Sequence, residues 1–132
     1  MVGGIVMIFD TDILIWIQRA NKKAADLINR TTDRTISIQT YMELLQCPQS
    51  KRQQEITRSF LFDYGFKIMP FTENIGHRAS IYIEEYSLAT GIRTGDAIIA
   101  ASAVENNMIL ASSNKKHFKN IKDLRLEIFN PL

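Results

Sequence analysis

Apolar residues follow two patterns along this chain, and the two patterns alternate. Short runs of mostly apolar or β-branched residues, typical of strands, occupy residues 5–9, 35–38, 66–69, 108–111 and 126–129. The first of these runs is continuously apolar, which is typical of a central strand buried on both faces of a sheet. Segments with apolar residues every three or four positions, typical of helices, occupy residues 13–18, 22–30, 40–45, 50–63, 72–90 and 97–104. The alternation predicts an α/β fold with a largely parallel central sheet flanked by helices. Because no linker or internal repeat is visible, we expect residues 1–132 to form a single domain.

The first apolar run, which follows Gly3 and Gly4, ends abruptly at Asp10. A signal peptide would carry basic residues before its apolar region, and this run has none, so we interpret it as a buried strand. No segment approaches the roughly 20 apolar residues that a membrane-spanning helix needs. We therefore expect no membrane partner.

Composition narrows the class of protein further. Hydrophobic residues make up 45% of the 132 residues and charged residues 23%, which is typical of a globular domain with a core of its own. The single cysteine, Cys47, excludes an intramolecular disulfide framework and a cysteine-rich zinc site. A formal net charge of +2 is too small to indicate nucleic-acid binding by itself, so that inference depends on where the basic residues lie.

Oxygen-bearing side chains follow the predicted strands. Asp10 and Asp12 come directly after the first strand, Glu43 lies one helical turn after the second, and Asp96 starts a helix that leads to strand 108–111. Residues 112–114, two serines and an asparagine, follow that strand. Because ligands collect at the carboxyl ends of parallel strands, these side chains are expected at one edge of the sheet. Asp12 and Asp96 also have a simpler interpretation as helix N-caps.

Three carboxylates at this edge would repel one another. At about 5 Å and an effective dielectric constant near 20, each pair costs roughly 3 kcal/mol. No Lys or Arg adjoins Asp10 or Glu43 in the sequence. A hard divalent cation is the simplest compensation, and oxygen ligands suit Mg²⁺ or Mn²⁺, which can generate hydroxide and hold a phosphate oxygen.

Four segments of the sequence resemble the motifs of a known family. They are IFDTDILI at residues 8–15, SIQTYMEL at 37–44, GDAIIAA at 95–101, and ILASSN at 109–114 followed by His117 and Phe118. Taken in this order over nearly the whole chain, they resemble the PIN domain, and most closely the VapC-type ribonuclease toxins of toxin–antitoxin pairs.

The resemblance implies a set of site residues. The metal-binding and catalytic acids of the family correspond to Asp10, Glu43 and Asp96. Asp12 stands where family members usually have Asn or Ser, and Asn114 lies near a position where many have an acid, so both are candidate additional metal ligands. The implied activity is that of a cytoplasmic endoribonuclease dependent on Mg²⁺ or Mn²⁺, homodimeric and silenced by a cognate antitoxin.

Basic residues close to the predicted site fit an RNA substrate. Arg93 precedes Asp96, and Lys115, Lys116 and Lys119 follow the strand at 108–111. They are candidates to hold RNA phosphates, a contact that would be sensitive to salt, although a solvated lysine surface is the simpler interpretation.

Three further residues have open interpretations. His117 is a candidate general acid or phosphate contact. Trp16 and Ile17, on a short early helix, belong either to the core or to a surface that binds a partner.

Two other functions remain open from the sequence. Asp10 and Asp12 after an apolar strand also resemble haloacid-dehalogenase-type phosphatases, in which the first Asp is the phosphoryl nucleophile and the second an acid/base. That family expects Thr or Val at the position of Leu14 and an acid at the position of Ala100, so this alternative ranks second. The other alternative is a non-catalytic PIN-like module that binds RNA or protein.

Overall fold

A parallel sheet forms the centre of the molecule. The structure, a computed structural model, describes residues 6–132, so Gly3, Gly4 and the start of the first predicted strand lie outside the described residues. The strands in residues 6–132 are β1 (Val6–Phe9), β2 (Asp33–Ser37), β3 (Lys67–Met69), β4 (Ile109–Ser112) and β5 (Leu126–Ile128). All neighbouring pairs are parallel, in the order β3-β2-β1-β4-β5, which confirms the predicted α/β fold with β1 at its centre.

Helices connect the strands. Within the same residues they are α1 (Thr11–Gln18), α2 (Lys22–Asn29), α3 (Ile38–Gln46), α4 (Lys51–Asp63), α5 (Glu73–Thr90), α6 (Thr94–Glu105) and α7 (Lys115–Phe118). None of these helices has the length and apolar character needed to cross a membrane.

The position of β1 at the centre of the sheet explains why its sequence is continuously apolar. Met7, Ile8 and Phe9 are all fully buried. Ile8 packs in a core cluster with residues of α5 and α6, whereas Met7 and Phe9 pack in a second cluster with residues of α1 to α4. Because successive side chains of a strand point to opposite faces, β1 contributes to both clusters, and helices cover both faces of the sheet.

Three differences from the predicted elements lie close to the carboxyl edge of the sheet. The predicted strand 35–38 ends at Ser37, because the Ser37 hydroxyl accepts a hydrogen bond from the backbone N–H of Thr40 at 3.0 Å and α3 starts at once. Helix α6 begins at Thr94, three residues earlier than predicted. Helix α7 was not predicted, since its four residues are too few to show a helical period.

Candidate active site

Three strands of the parallel sheet end side by side. Asp10 follows β1, α3 with Glu43 follows β2, and Ser112 ends β4. The backbone N–H of Asp10 donates to the carbonyl oxygen of Ala111 at 2.9 Å, which continues the pairing of β1 with β4 up to the edge. The carboxyl edge of the sheet is therefore where these side chains lie, as the sequence predicted.

Asp10 is the most buried acid of the site. The residue is 6% exposed. Its Oδ1 accepts from the backbone N–H of Thr11 at 2.8 Å, and its Oδ2 accepts from the Ser112 hydroxyl at 2.7 Å. Asp10 is the N-cap of α1, so the interpretation of Asp12 as the cap of this helix is wrong. The helix starts at Thr11, and Asp12 lies within its first turn.

The surroundings of Asp10 disfavour its negative charge. Burial raises the pKa of the Asp10 carboxyl from 3.8 to about 7, and the charges of Asp12 and Asp96 also raise it. The hydrogen bonds from Ser112 and Thr11 act in the opposite direction, but they are outweighed. Because the charge of Asp96 acts on Asp10, the start of α6 contributes to the same electrostatic site.

Glu43 is held by hydrogen bonds to both carboxylate oxygens. The Thr11 hydroxyl donates to Oε1, and the side-chain amide of Gln39 donates to Oε2 at 2.9 Å. Gly95 lies directly against this pair, because a Cβ at that position would come within 2.9 Å of Glu43 Oε2. Gly95 lies in the first turn of α6, and its lack of a side chain allows α6 to approach α3 closely.

Asp96 joins α6 to the segment after β4. Its Oδ2 lies 2.8 Å from Nδ1 of His117 and accepts a longer hydrogen bond, 3.4 Å, from the backbone N–H of Arg93. Arg93 is the N-cap of α6, so the interpretation of Asp96 as the cap is also wrong. Asp96 is the third residue of the helix, where a carboxylate interacts favourably with the helix dipole.

Asp12 contacts the end of β4. Its Oδ2 accepts hydrogen bonds from the backbone N–H of Ser113, at 3.1 Å, and from the Ser113 hydroxyl. Its Oδ1 is buried and, within residues 6–132, has no hydrogen-bond partner. A buried carboxylate oxygen without a donor is costly, and a cation is one way to satisfy it.

The remaining candidates lie around α7. Asn114 is the N-cap of α7, and its Oδ1 accepts from the backbone N–H of His117 at 3.3 Å. Lys115, Lys116 and Lys119 are exposed on and just after this helix, and Arg93 is exposed at the start of α6. The basic side chains therefore flank the residues that contact Asp96.

The donor atoms at this edge suit a hard divalent cation. The carboxylates and the Asn114 amide offer oxygen atoms, which are the ligands that Mg²⁺ and Mn²⁺ prefer. In the part of the chain that the structure describes, no three Asp, Glu, His or Cys side chains are grouped closely enough to hold a metal ion by themselves. The burial and the neighbouring negative charges that raise the pKa of Asp10, together with the unpartnered oxygen of Asp12, fit a site that binds positive charge.

Several residues of the site were not identified from the sequence. Thr11, Gln39 and Gly95 set the position of Glu43, and none has a chemical character that distinguishes it in a sequence. Thr11 lies between two candidate acids, which is a usable signal. Gln39 lies four residues before Glu43, the spacing that places two helical side chains on one face.

Comparisons with known proteins agree with this architecture. A family model described as PIN domain matches residues 7–124. No curated protein matches the chain by sequence. Among solved structures, a toxin–antitoxin complex from Klebsiella pneumoniae contains a chain with 27% identity and a TM-score of 0.77, over 96% of this chain and 98% of that one.

Two more distant structures show the same fold. The structure of VapBC2 from Rickettsia felis, bound to a DNA fragment from their promoter, matches with 21% identity and a TM-score of 0.78, over 96% of this chain and 100% of that one. The structure of FitAcB from Neisseria gonorrhoeae matches with 21% identity and a TM-score of 0.72, over 95% of this chain and 97% of that one.

The family match favours the interpretation of the sequence as a PIN domain over that as a haloacid-dehalogenase-type phosphatase. Since it extends over nearly the whole chain, the protein belongs to the PIN-domain family.

Proposed function

We propose that this chain is a VapC-type toxin, a metal-dependent endoribonuclease whose residues 1–132 form one nuclease domain. The observation that carries the proposal is the burial of Asp10 beside other carboxylates, which raises its pKa to about 7 and favours a bound cation. The match to the PIN-domain family and the similarity to the toxin–antitoxin complex from Klebsiella pneumoniae support the same activity.

Five residues would hold the metal in this proposal. Asp10, Glu43 and Asp96 are the main ligands of Mg²⁺ or Mn²⁺ and the catalytic acids. Asp12 adds its unpartnered Oδ1, and Asn114 adds the second lone pair of its amide oxygen. When bound, such an ion would stabilise negative charge on the phosphate and make a coordinated water easier to deprotonate.

Other residues of the chain keep these ligands in place. Ser112 and the backbone of Thr11 fix the two oxygens of Asp10, and Gln39 fixes Oε2 of Glu43. Hydrogen bonds of this kind hold the ligands in position before the substrate arrives, so little reorganisation is needed during the reaction. Each carboxylate oxygen of Asp10 accepts one such hydrogen bond and has a second lone pair, so the oriented carboxylate is suited to bind a cation.

The direct test of the proposal is an RNA cleavage assay with the purified chain. We expect endonucleolytic products from mixed structured RNAs with Mg²⁺ or Mn²⁺, and none with EDTA, because no Ser–His or His–His nucleophile pair is evident in the sequence to replace the metal. Full activity in EDTA would contradict the mechanism. RNA retention without cleavage at every metal concentration would instead indicate the non-catalytic binding module.

Four exposed basic residues are proposed to bind the RNA backbone: Arg93, Lys115, Lys116 and Lys119. We expect the combined change of the three lysines to Ala to weaken RNA binding and to lower the slope of log affinity against log salt by about two to three, because each phosphate contact contributes about 0.7 to 0.9. Fluorescence anisotropy at several salt concentrations measures both quantities. Mn²⁺ affinity should stay unchanged.

A matched control removes three positive charges elsewhere. Arg30, Lys67 and Arg125 precede or begin strands, so they lie at the amino edge of the sheet, opposite the candidate site. Their combined change to Ala should leave the salt slope close to that of the wild type. If the lysine variant keeps the wild-type slope as well, RNA follows another path across the domain.

A cognate antitoxin is the proposed protein partner. Side chains of α1 and α4 line a groove of about 610 Å³ that includes Ile17, Ile56, Phe60 and Tyr64. Ile56 is 57% exposed, although an isolated domain gains stability by burying such a side chain. The similar structures described as toxin–antitoxin or VapBC complexes support a partner of this kind. A cytoplasmic location and a homodimer are proposed on the same family resemblance.

A further inference from the structure

His117 makes a contact that a phosphate-binding or surface histidine does not need. It is the third residue of α7, and its side chain is 20% exposed. Its Nδ1 lies 2.8 Å from Oδ2 of Asp96, a residue that is 21 positions earlier in the chain and belongs to another helix. The contact therefore connects the start of α6 with the segment that follows β4.

The chemistry of the two groups sets the direction of this hydrogen bond. An ionised carboxylate only accepts, so Nδ1 of His117 must carry a hydrogen and donate it to Asp96. The side-chain amide nitrogen of Asn114 lies 2.9 Å from the same Nδ1, but an amide N–H only donates, so this contact is not a hydrogen bond when Nδ1 carries the hydrogen. The bond to the charged carboxylate is the stronger of the two alternatives. Asn114 instead fixes the backbone of His117 through its cap hydrogen bond at 3.3 Å.

Asp96 has little else to hold it. Among the described residues, the other hydrogen bond to its carboxylate comes from the backbone N–H of Arg93, at 3.4 Å. That distance lies beyond the usual range for an N–H···O bond, so this bond is weak. The rotation of the Asp96 carboxylate is therefore restrained mainly by the histidine.

We propose that His117 is a positioning residue for Asp96, whose Nδ1–H holds Oδ2 of the carboxylate so that Asp96 meets a divalent cation in a fixed orientation. The inference rests on the proposed function, since it takes Asp96 to be a metal ligand. It differs from the roles considered from the sequence, because His117 would act through Asp96 and the role requires no contact of His117 with the phosphate or the metal. A residue that orients a ligand acts on metal affinity as well as on rate.

Two amide variants of His117 test the role with the metal alone. In His117→Asn the side-chain amide lies close to the position of Nδ1, whereas in His117→Gln it lies closer to that of Nε2. Mn²⁺ binding to the purified protein, without RNA, is measured from the electron paramagnetic resonance signal of free Mn²⁺. We expect His117→Gln to weaken binding about 10- to 100-fold, and His117→Asn to stay within about threefold of the wild type.

The melting temperatures of the metal-free variants complete the experiment. Both variants lose the imidazole ring, so packing alone would lower both melting temperatures and both Mn²⁺ affinities equally. Equal weakening in the two variants, or wild-type affinity in His117→Gln, would overturn the positioning role and leave the proposed nuclease intact. If the wild type itself binds no Mn²⁺, the proposed metal site fails, and the role of His117 fails with it.

Discussion

Replacing Asp10 by Asn is expected to reduce RNA cleavage by at least about 1000-fold, which corresponds to about 4 kcal/mol of transition-state stabilisation. The same change should make the metal-free protein more stable near pH 8. Asn caps a helix as well as Asp does, and its amide oxygen can still accept from the backbone N–H of Thr11. The Ser112 hydroxyl can accept from the new amide group, so the two side chains can still hydrogen-bond with the direction of the bond reversed.

The pH dependence of stability provides the sharper measurement. The pKa of Asp10 is about 7 in the folded protein and 3.8 as its ordinary value, so the folded state binds more protons between these two values. Stability is therefore expected to fall as the pH rises from about 4 to about 7, by an amount on the order of 4 kcal/mol for this group. Melting temperatures of the metal-free wild type should show this decline, and those of Asp10→Asn should show much less of it.

A control carboxylate separates this effect from general titration. Asp33 begins β2 at the opposite edge of the sheet and forms an ion pair with Lys67 at 2.9 Å. Asp33→Asn should retain both the cleavage activity and the decline in stability with rising pH. An Asp10→Asn variant that cleaves RNA at the wild-type rate would rule out Asp10 as a metal ligand.

The edge at which the acids gather could be predicted from the sequence, because it depends on strand direction and strand ends alone. Asp10 and Glu43 each lie within a turn or so of a strand that is recognisable by its apolar run. The parallel arrangement follows from the alternation of strands and helices, and it places the carboxyl ends of β1, β2 and β4 together. Neither step needs any detail of side-chain packing.

The contacts within the site could not be predicted in the same way. The approach of Gly95 to Glu43 depends on how closely α6 packs against α3, and the contact of Asp12 with Ser113 joins residues 101 positions apart. The start of α6 was also misplaced, because Arg93 caps the helix and is not a residue type that favours this position. Each of these features depends on tertiary packing, which cannot be read from a local sequence pattern.

Two roles for Asp96 have to be distinguished: that of a metal ligand, and that of a residue that only stabilises the start of α6 through the helix dipole. We expect Asp96→Asn to be nearly inactive, with a fall in cleavage rate of at least about 100-fold, because a neutral amide is a poorer ligand for Mg²⁺ or Mn²⁺ than a carboxylate. In the metal-free protein the change removes a negative charge that raises the pKa of Asp10. The amide oxygen can still accept from His117 and Arg93, so the metal-free variant should melt at or above the temperature of the wild type.

Thermal melts with and without Mn²⁺ distinguish the two roles of Asp96. A ligand at about 100 times its dissociation constant stabilises the folded state by about 2.7 kcal/mol, and we expect this gain for the wild type and a much smaller gain for Asp96→Asn. Glu73→Gln is the matched control, since Glu73 is an exposed acid in the first turn of α5 and its loss affects only the interaction with a helix dipole. That variant should show the full Mn²⁺ gain and the wild-type cleavage rate. Equal gains in the wild type and Asp96→Asn, together with retained cleavage, would mean that Asp96 only stabilises the start of α6.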